Sequence, residues 1–311
     1  MASHRAVLLN EALESLAIVR DGWYVDSTYG RGGHTARILA ALGERGRLLA
    51  LDKDPEAVAH ARANFGSDPR FSVRFGGFEN FCTLVAPWLR EHSLAGALFD
   101  LGISSAQLDD AARGFSFSRD GPLDMRMNTD EGISAQQWLQ RVDEAELAGV
   151  LRRFGEEPRA RRVARAILHA RASGPLDTTG QLAAIVAQAA GHGNRRIHPA
   201  TRVFQAIRIH INRELKSLET ALEQCLRLLA GGGRLCVISF HSLEDRIVKR
   251  FMARQAKGDP VYAGLPDIPP GAAPTMRLIG GLIRPLASEV ETNPRARSAR
   301  LRVAERLEAI A

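Results

Sequence analysis

The stretch Asp26-Ser27-Thr28-Tyr29-Gly30-Arg31-Gly32-Gly33-His34-Thr35 constrains the chain more than any other. Trp23, Tyr24 and Val25 before it suit the end of a strand. Ile38, Leu39 and Leu42 after it recur at helical spacing, and Gly43 stands where such a helix would close. The order is strand, tight glycine turn and helix N-terminus, which is the mouth of a nucleotide-type site in an open α/β sheet. Gly30, Gly32 and Gly33 admit φ > 0 and let a ligand approach the main chain where a Cβ would block it.

Asp26 narrows the ligand. A dinucleotide lays its pyrophosphate over this turn, and a fixed carboxylate would repel it. A carboxylate just before the turn suits a ligand with a cationic end, such as the amino-acid part of S-adenosylmethionine. Thr35 also replaces the third glycine of the dinucleotide fingerprint, which disfavours a dehydrogenase. The plainer alternative is a glycine loop that only connects strand to helix. Asp52 ends the strand-like run Arg47–Leu51, about 20 residues past the glycines, where a ribose-binding acid belongs. Asp54-Pro55-Glu56 reads as a helix start, with Asp54 as cap and Pro55 in the first turn. That leaves Asp52 for a ligand.

Composition bounds the partners. A chain of 311 residues with 45% hydrophobic content supports one large or two modest domains. The net charge of +7, mostly from arginine, favours a polyanion without choosing RNA over DNA. Cys82, Cys225 and Cys236 are odd in number and lack metal-ligand spacing, so inert thiols are expected and no metal site. Residues 1–20 show no secretory signal, and no apolar run approaches the ~18 residues of a membrane span. The expectation is a cytoplasmic protein with no membrane partner; a homodimer stays open.

Further along, Phe71–Phe75 alternates as a third strand and ends in Gly76-Gly77-Phe78. Phe78 suits stacking on an adenine ring or packing in the core. Ala95–Leu101 is a nearly continuous apolar run, as in a central parallel strand, with Asp100 at its carboxyl end. The long polar loop from Gly102 to Met127 is of the functional kind. From there to about residue 200 the periodicity is helical. Residues 106–200 therefore read as an inserted helical domain for substrate recognition, with 1–105 and 201–311 forming the sheet domain. The insert carries a basic stripe that includes Arg152, Arg153, Arg161 and Arg162; Arg195, Arg196 and Arg202 follow, and Arg113 precedes it. These are expected to meet phosphates, against the alternative of a solvated helix face. One long amphipathic helix is expected from Phe204 to Leu229, closed by Gly231-Gly232-Gly233. Arg234–Phe240 reads as the fifth strand, with His241 at its end and Ser242 with Asp245 as a capping box. Met276–Arg284 and Ser298–Arg306 suit an antiparallel edge pair.

Six stretches resemble the bacterial 16S rRNA cytosine-N4 methyltransferase family, known as RsmH or MraW. They are Thr28–His34, Asp100–Asp110, Arg113–Met127, His198–Ala206, Ile238–Arg246 and Asn293–Leu301, which span nearly the whole chain. The resemblance implies an α/β, doubly wound, Rossmann-like methyltransferase sheet with an all-helical insert. It implies S-adenosylmethionine as cofactor and a decoding-region cytidine of the small ribosomal subunit RNA as substrate. Cofactor contacts would fall on Gly32, Gly33, His34, Asp52, Phe78, Asp100 and Gln107. The family usually has proline before Val7-Leu8-Leu9, and this chain has Ala6, which leaves the N-terminal segment's geometry open.

The chemistry that follows is an in-line displacement at a methyl carbon, for which positioning supplies much of the rate. The cytosine N4 lone pair is delocalised, so an acceptor on an N4 proton helps. The motif other amine methyltransferases use after strand four is absent, since Asp100-Leu101-Gly102-Ile103 stands there. Asp100 or Asp109 is the expected acceptor, with His241 near the base and Phe115 or Phe117 supporting it once unstacked. The alternatives are methylation of DNA or another substrate, or a basic RNA-binding assembly factor that keeps a cofactor pocket.

Overall fold

The computed structural model describes residues 6–191, 198–262, 269 and 271–308. It divides into one unit of residues 1–102 and 215–311 and a second unit of residues 103–214.

The first unit begins with helix α1 (Leu9–Leu16) and strand β1 (Trp23–Asp26). Helix α2 (Gly33–Ala41) leads to β2 (Arg47–Asp52) and α3 (Pro55–Phe65). Strand β3 (Phe71–Phe75), α4 (Phe81–Leu89) and β4 (Leu94–Asp100) complete the first half. Helix α3 starts as its sequence dictates: Asp54 accepts the N–H of Glu56, and Pro55 fills a position whose N–H has no helical partner. The apolar runs become β2 and β4 because both faces are covered; Leu48, Leu49, Ala50, Leu51, Ala97, Leu98 and Phe99 are fully buried.

The second unit holds α5 (Ser105–Asp109), α6 (Ala135–Arg141), α7 (Glu144–Gly155), α8 (Ala160–Ser173), α9 (Thr179–Ala190) and α10 (Ala200–Asn212). Ser104 with Gln107, Ser134 with Gln137, and Thr178 with Gln181 form capping boxes that start three of these helices. The core joins Leu123, Met125, Leu139, Val150, Leu151, Val163, Ile167, Leu182, Val203 and Ile207.

The chain re-enters the first unit along α11 (Glu214–Leu228), then β5 (Leu229–Ser239), α12 (Ser242–Lys257), β6 (Met276–Leu278), α13 (Ala287–Thr292) and β7 (Arg300–Arg306). The seven-stranded sheet runs β3-β2-β1-β4-β5-β7-β6. Strands β1 to β5 are parallel, whereas β7 pairs antiparallel with β5 and β6. The strand order reverses between β1 and β4, which opens a crevice at their carboxyl ends.

Three expectations need correcting. The second unit is wider than 106–200. Helix α10 belongs to it because Val203, Phe204, Ala206 and Ile207 pack in its core. The single long helix from Phe204 to Leu229 is two helices, because Arg213 adopts a left-handed conformation at φ 51°. The three glycines do not stop a helix; they lie within β5. There the register against β4 shifts between Leu94 and Gly96, and a Cβ on Gly233 would lie 2.9 Å from the Leu94 carbonyl oxygen.

Candidate active site

The site is built at the carboxyl ends of β1, β2 and β4. Gly30 and Gly32 both have positive φ, at 56° and 76°, so the turn between β1 and α2 needs glycine there. The turn is fastened from below. Thr35 Oγ1 donates to Asp26 Oδ2 at 2.7 Å, and the N–H of Thr28 reaches Asp26 Oδ1 at 3.3 Å. Asp26 is 1% exposed, and burial, its largest influence, raises its pKa. The expectation that its carboxylate meets the cationic end of a ligand is therefore corrected. Its oxygens hold the turn and the start of α2 from inside the protein.

Asp52 is tied to the same turn. Its Oδ2 accepts the Gly30 N–H at 2.8 Å and its Oδ1 accepts the Asp54 N–H at 2.9 Å. Burial pushes its pKa up to about 6 despite these two donors. The side chain remains half-buried, with further lone pairs on its oxygens for a hydroxyl pair.

Asp100 is the third acid of the site. Its backbone N–H donates to Thr28 Oγ1 at 2.6 Å, which joins β4 to the turn after β1. Its Oδ2 lies 3.5 Å from His34 Nδ1. Its Oδ1 is buried and has no hydrogen-bond partner among the described residues. Burial first, then the negative charges of Asp26 and Glu244, hold its pKa well above the ordinary carboxylate range.

His34 is 4% exposed, with Nε2 3.1 Å from the Val7 carbonyl oxygen. The N-terminal segment is thus docked on the turn. A Cβ on Gly33 would sit 2.8 Å from that of Ala6, so Ala6 and Gly33 are in close contact. Tyr29 makes the turn's other wall, with its hydroxyl 2.8 Å from His60 Nδ1 on α3. Burial and the Asp26 charge push the Tyr29 pKa up to about 12, so the phenol donates and His60 accepts.

Phe78 follows β3 half-buried, edge-on to Phe99 with ring centroids 5.9 Å apart. His241 lies at the end of β5 as expected, but the capping box starts one residue earlier than Ser242. His241 Nδ1 accepts the Glu244 N–H at 3.4 Å, and Glu244 Oε2 accepts the N–H of His241 and of Phe240. Asp245 serves instead as the partner of Arg300 and Arg302. Thr28, Tyr29 and Glu244 went unassigned in sequence. Only Glu244 left a signal, its place three residues past His241.

In the second unit, Gln107 is buried, with its amide oxygen accepting the Ser104 N–H, and Asp109 is exposed on α5. Arg152, Arg153, Arg161, Arg162 and Arg202 are exposed. Arg113 is not. It is 6% exposed and donates to the carbonyls of Arg126 and Met127, so its expected phosphate contact is replaced by a structural role. Arg195 and Arg196 lie outside the described residues.

A fit for S-adenosylmethionine is visible in these donors and acceptors. The buried Asp100 Oδ1 has no partner among the described residues, which suits a cationic or N–H-bearing group, and the Asp52 carboxylate suits ribose hydroxyls. Gly30 and Gly32 keep the main chain within reach of a ligand.

Comparison with known proteins places the chain. A model of the MraW methylase family matches residues 1–307. The chain is 53% identical to "Ribosomal RNA small subunit methyltransferase H" of Xylella fastidiosa (strain M12), over 99% of this chain and 98% of that protein. It is 52% identical to the protein of the same name from Stenotrophomonas maltophilia (strain K279a), over 99% of this chain and 94% of the other. It also resembles the crystal structure of an rRNA methylase from Streptococcus thermophilus, with a TM-score of 0.43 and 13% identity over 96% of this chain and 93% of that one. At that distance the likeness says nothing of chemistry. With a match over nearly its whole length and relatives above half identity, this chain belongs to the MraW methylase family and is an S-adenosylmethionine-dependent methyltransferase.

Proposed function

We propose that this chain transfers a methyl group from S-adenosylmethionine to the exocyclic N4 of a cytidine in 16S ribosomal RNA of the small subunit. The observation that carries the reading is the family match across residues 1–307, joined to acids at the ends of β1, β2 and β4 around a glycine turn. A cytoplasmic location goes with that substrate. Among the described residues no helix is long and apolar enough to cross a membrane.

Asp52 would hold the ribose, Asp100 the cationic amino-acid end, Phe78 a face of the adenine, and the backbone of Gly30–His34 the remainder. When bound, the cofactor supplies an electrophilic methyl on a sulfonium leaving group. The protein's share is alignment, exclusion of water and relief of charge on the amine. Asp100 and Asp109 are the candidates for accepting an N4 proton.

His241 has a different part. Its Nδ1 already accepts the Glu244 N–H, so the neutral ring carries its hydrogen on Nε2. That nitrogen is buried and lies 3.1 Å from Glu244 Oε1, so both ring nitrogens face Glu244 and the ring would line the base's surroundings without taking a proton from N4. The exposed Arg152, Arg153, Arg161, Arg162 and Arg202 would meet RNA phosphates, and RNA is the substrate that the names of the relatives state for those proteins.

The test is label transfer from methyl-tritiated S-adenosylmethionine to naked 16S RNA and to small subunits from cells lacking this protein, followed by nucleoside analysis. Label in N4-methylcytidine is expected. Label in another nucleoside, or in DNA alone, overturns the proposal. Single-turnover rates of Asp109→Ala and Asp100→Asn, read beside cofactor affinity, decide between the two acceptors.

A further inference from the structure

The His34 ring has the Val7 carbonyl oxygen at one nitrogen and an Asp100 carboxylate oxygen at the other. A carbonyl oxygen can only accept, so the Val7 carbonyl 3.1 Å away requires the hydrogen on Nε2. In the neutral ring Nδ1 is then a lone pair, and it faces Asp100 Oδ2 at 3.5 Å. A lone pair opposite a carboxylate oxygen is repulsive, and here the imidazole is buried and the carboxylate half-buried. One proton placed between them, on either atom, turns repulsion into attraction.

The surroundings of Asp100 favour a proton on the pair. Asp100 feels Asp26 from β1, Glu244 from the first turn of α12, and the imidazole of His34 from α2. Its backbone N–H is held by Thr28. Two further acids and no described lysine or arginine enter this balance, so a bare Asp100 carboxylate is costly without a cation.

We propose that His34 is a positioning residue that shares one proton with Asp100, so that the pair answers the cationic end of the cofactor without exchanging a proton with solvent. This rests on the reading that Asp100 faces the cofactor. In the free protein this sharing keeps the proton on Asp100 Oδ2, facing the Nδ1 lone pair, the side that burial and the neighbouring acids favour. A cation arriving at Asp100 Oδ1 favours the carboxylate. The O–H bond at Oδ2 then breaks and an N–H bond forms at His34 Nδ1, leaving an imidazolium behind a carboxylate. The Val7 carbonyl keeps the ring in the one tautomer able to receive that proton. This also accounts for the docking of the N-terminal segment against Gly33 and His34.

The experiment uses the full chain with S-adenosylhomocysteine as probe, from about pH 6.5 to about pH 8, above the titration of Asp52 near 6. Nitrogen NMR of labelled histidine is expected to show His34 as the neutral Nε2–H tautomer in the free protein and as imidazolium when saturated. Calorimetry in buffers of different ionisation enthalpy should find almost no proton exchanged, and affinity should be flat with pH. In His34→Ala the Asp100 proton must leave to solvent. Proton release then approaches one, and affinity rises with pH, by up to about tenfold per unit. His34→Gln, which keeps a buried polar side chain but cannot take the proton, should behave like His34→Ala and controls for folding. An Nδ1–H tautomer, or equal proton release from wild type and both variants, overturns the sharing. Asp100→Asn tests the underlying reading separately. Unchanged affinity in that variant means that Asp100 does not face the cofactor, whatever the proton count shows.

Discussion

Asp52 Oδ2 accepts the Gly30 N–H at 2.8 Å, so the acid at the end of β2 is fastened to the glycine turn that follows β1. The two groups are 22 residues apart in sequence. One side chain therefore sets both the shape of the turn and the charge beside it.

The Asp52 carboxyl has its pKa raised from 3.8 to about 6 by burial. For an acid shifted upward, the folded state holds the proton more tightly. Stability from this group is full below pH 3.8 and is lost as pH rises through about 6, by about 3 kcal/mol in all. Asp52→Asn removes that loss. Urea unfolding should show the variant gaining on wild type between about pH 4 and pH 7. Affinity for S-adenosylhomocysteine should fall in wild type as pH drops through about 6, and the variant should lose that dependence.

Gly32 combines a φ of 76° with a crowded neighbour. A Cβ there would lie 2.8 Å from the Tyr29 hydroxyl oxygen and 2.9 Å from its ring. Gly32→Ala should cost roughly 1–3 kcal/mol of stability. It should also weaken cofactor binding more than Gly132→Ala, since Gly132 has nothing within 4 Å of its would-be Cβ. Thermal melts with and without S-adenosylhomocysteine separate the two losses.

Asp245 ties α12 to β7. It pairs with Arg302 Nε and Arg300 Nη1, each at 2.7 Å, and its side chain is 8% exposed. Burial alone would raise this carboxyl, but the two guanidinium groups more than reverse it and its pKa is lowered. Asp245→Ala strands the largely buried Arg302. Denaturant unfolding should record a loss of about 3 kcal/mol, the low end for a broken buried pair, because Arg300 is exposed enough to rehydrate.

Arg153 and Arg113 should part company in RNA binding. Arg153 is exposed at the last turn of α7, over the Phe154 ring at 5.4 Å. Arg153→Ala should weaken binding to 16S RNA and lower the salt slope by about 0.7, the loss of one phosphate contact on a single strand. Arg113→Ala removes donors to one buried and one part-buried carbonyl and should lower the melting temperature with the salt slope unchanged. Filter binding across a salt series reads the slopes. An equal slope change in both variants contradicts the assignment.

Much of the sheet was legible in the chain. Apolar runs closed by Asp52 and Asp100 could only be buried parallel strands, and Asp54-Pro55-Glu56 starts α3 through local hydrogen bonding and a fixed φ. The break at Arg213 was not legible. Apolar spacing runs unbroken through Ile207, Ile211, Leu215 and Leu218, and no glycine or proline marks the left-handed residue. The capping box at His241 was hidden because histidine is a rare cap, and Ser242 beside it looked the better one.

Local physics, acting over a few residues, determined from sequence alone where β2 and β4 end, where α3 begins and which acids stand at the rim. Only tertiary structure decided what each acid does. Asp26 looked like a ligand's partner and holds the turn through Thr28 and Thr35, while burial, Asp26 and Glu244 raise the pKa of Asp100, which lies 3.5 Å from His34. Burial and the charge of distant neighbours set those roles, and neither is a property of the residue's place in the chain.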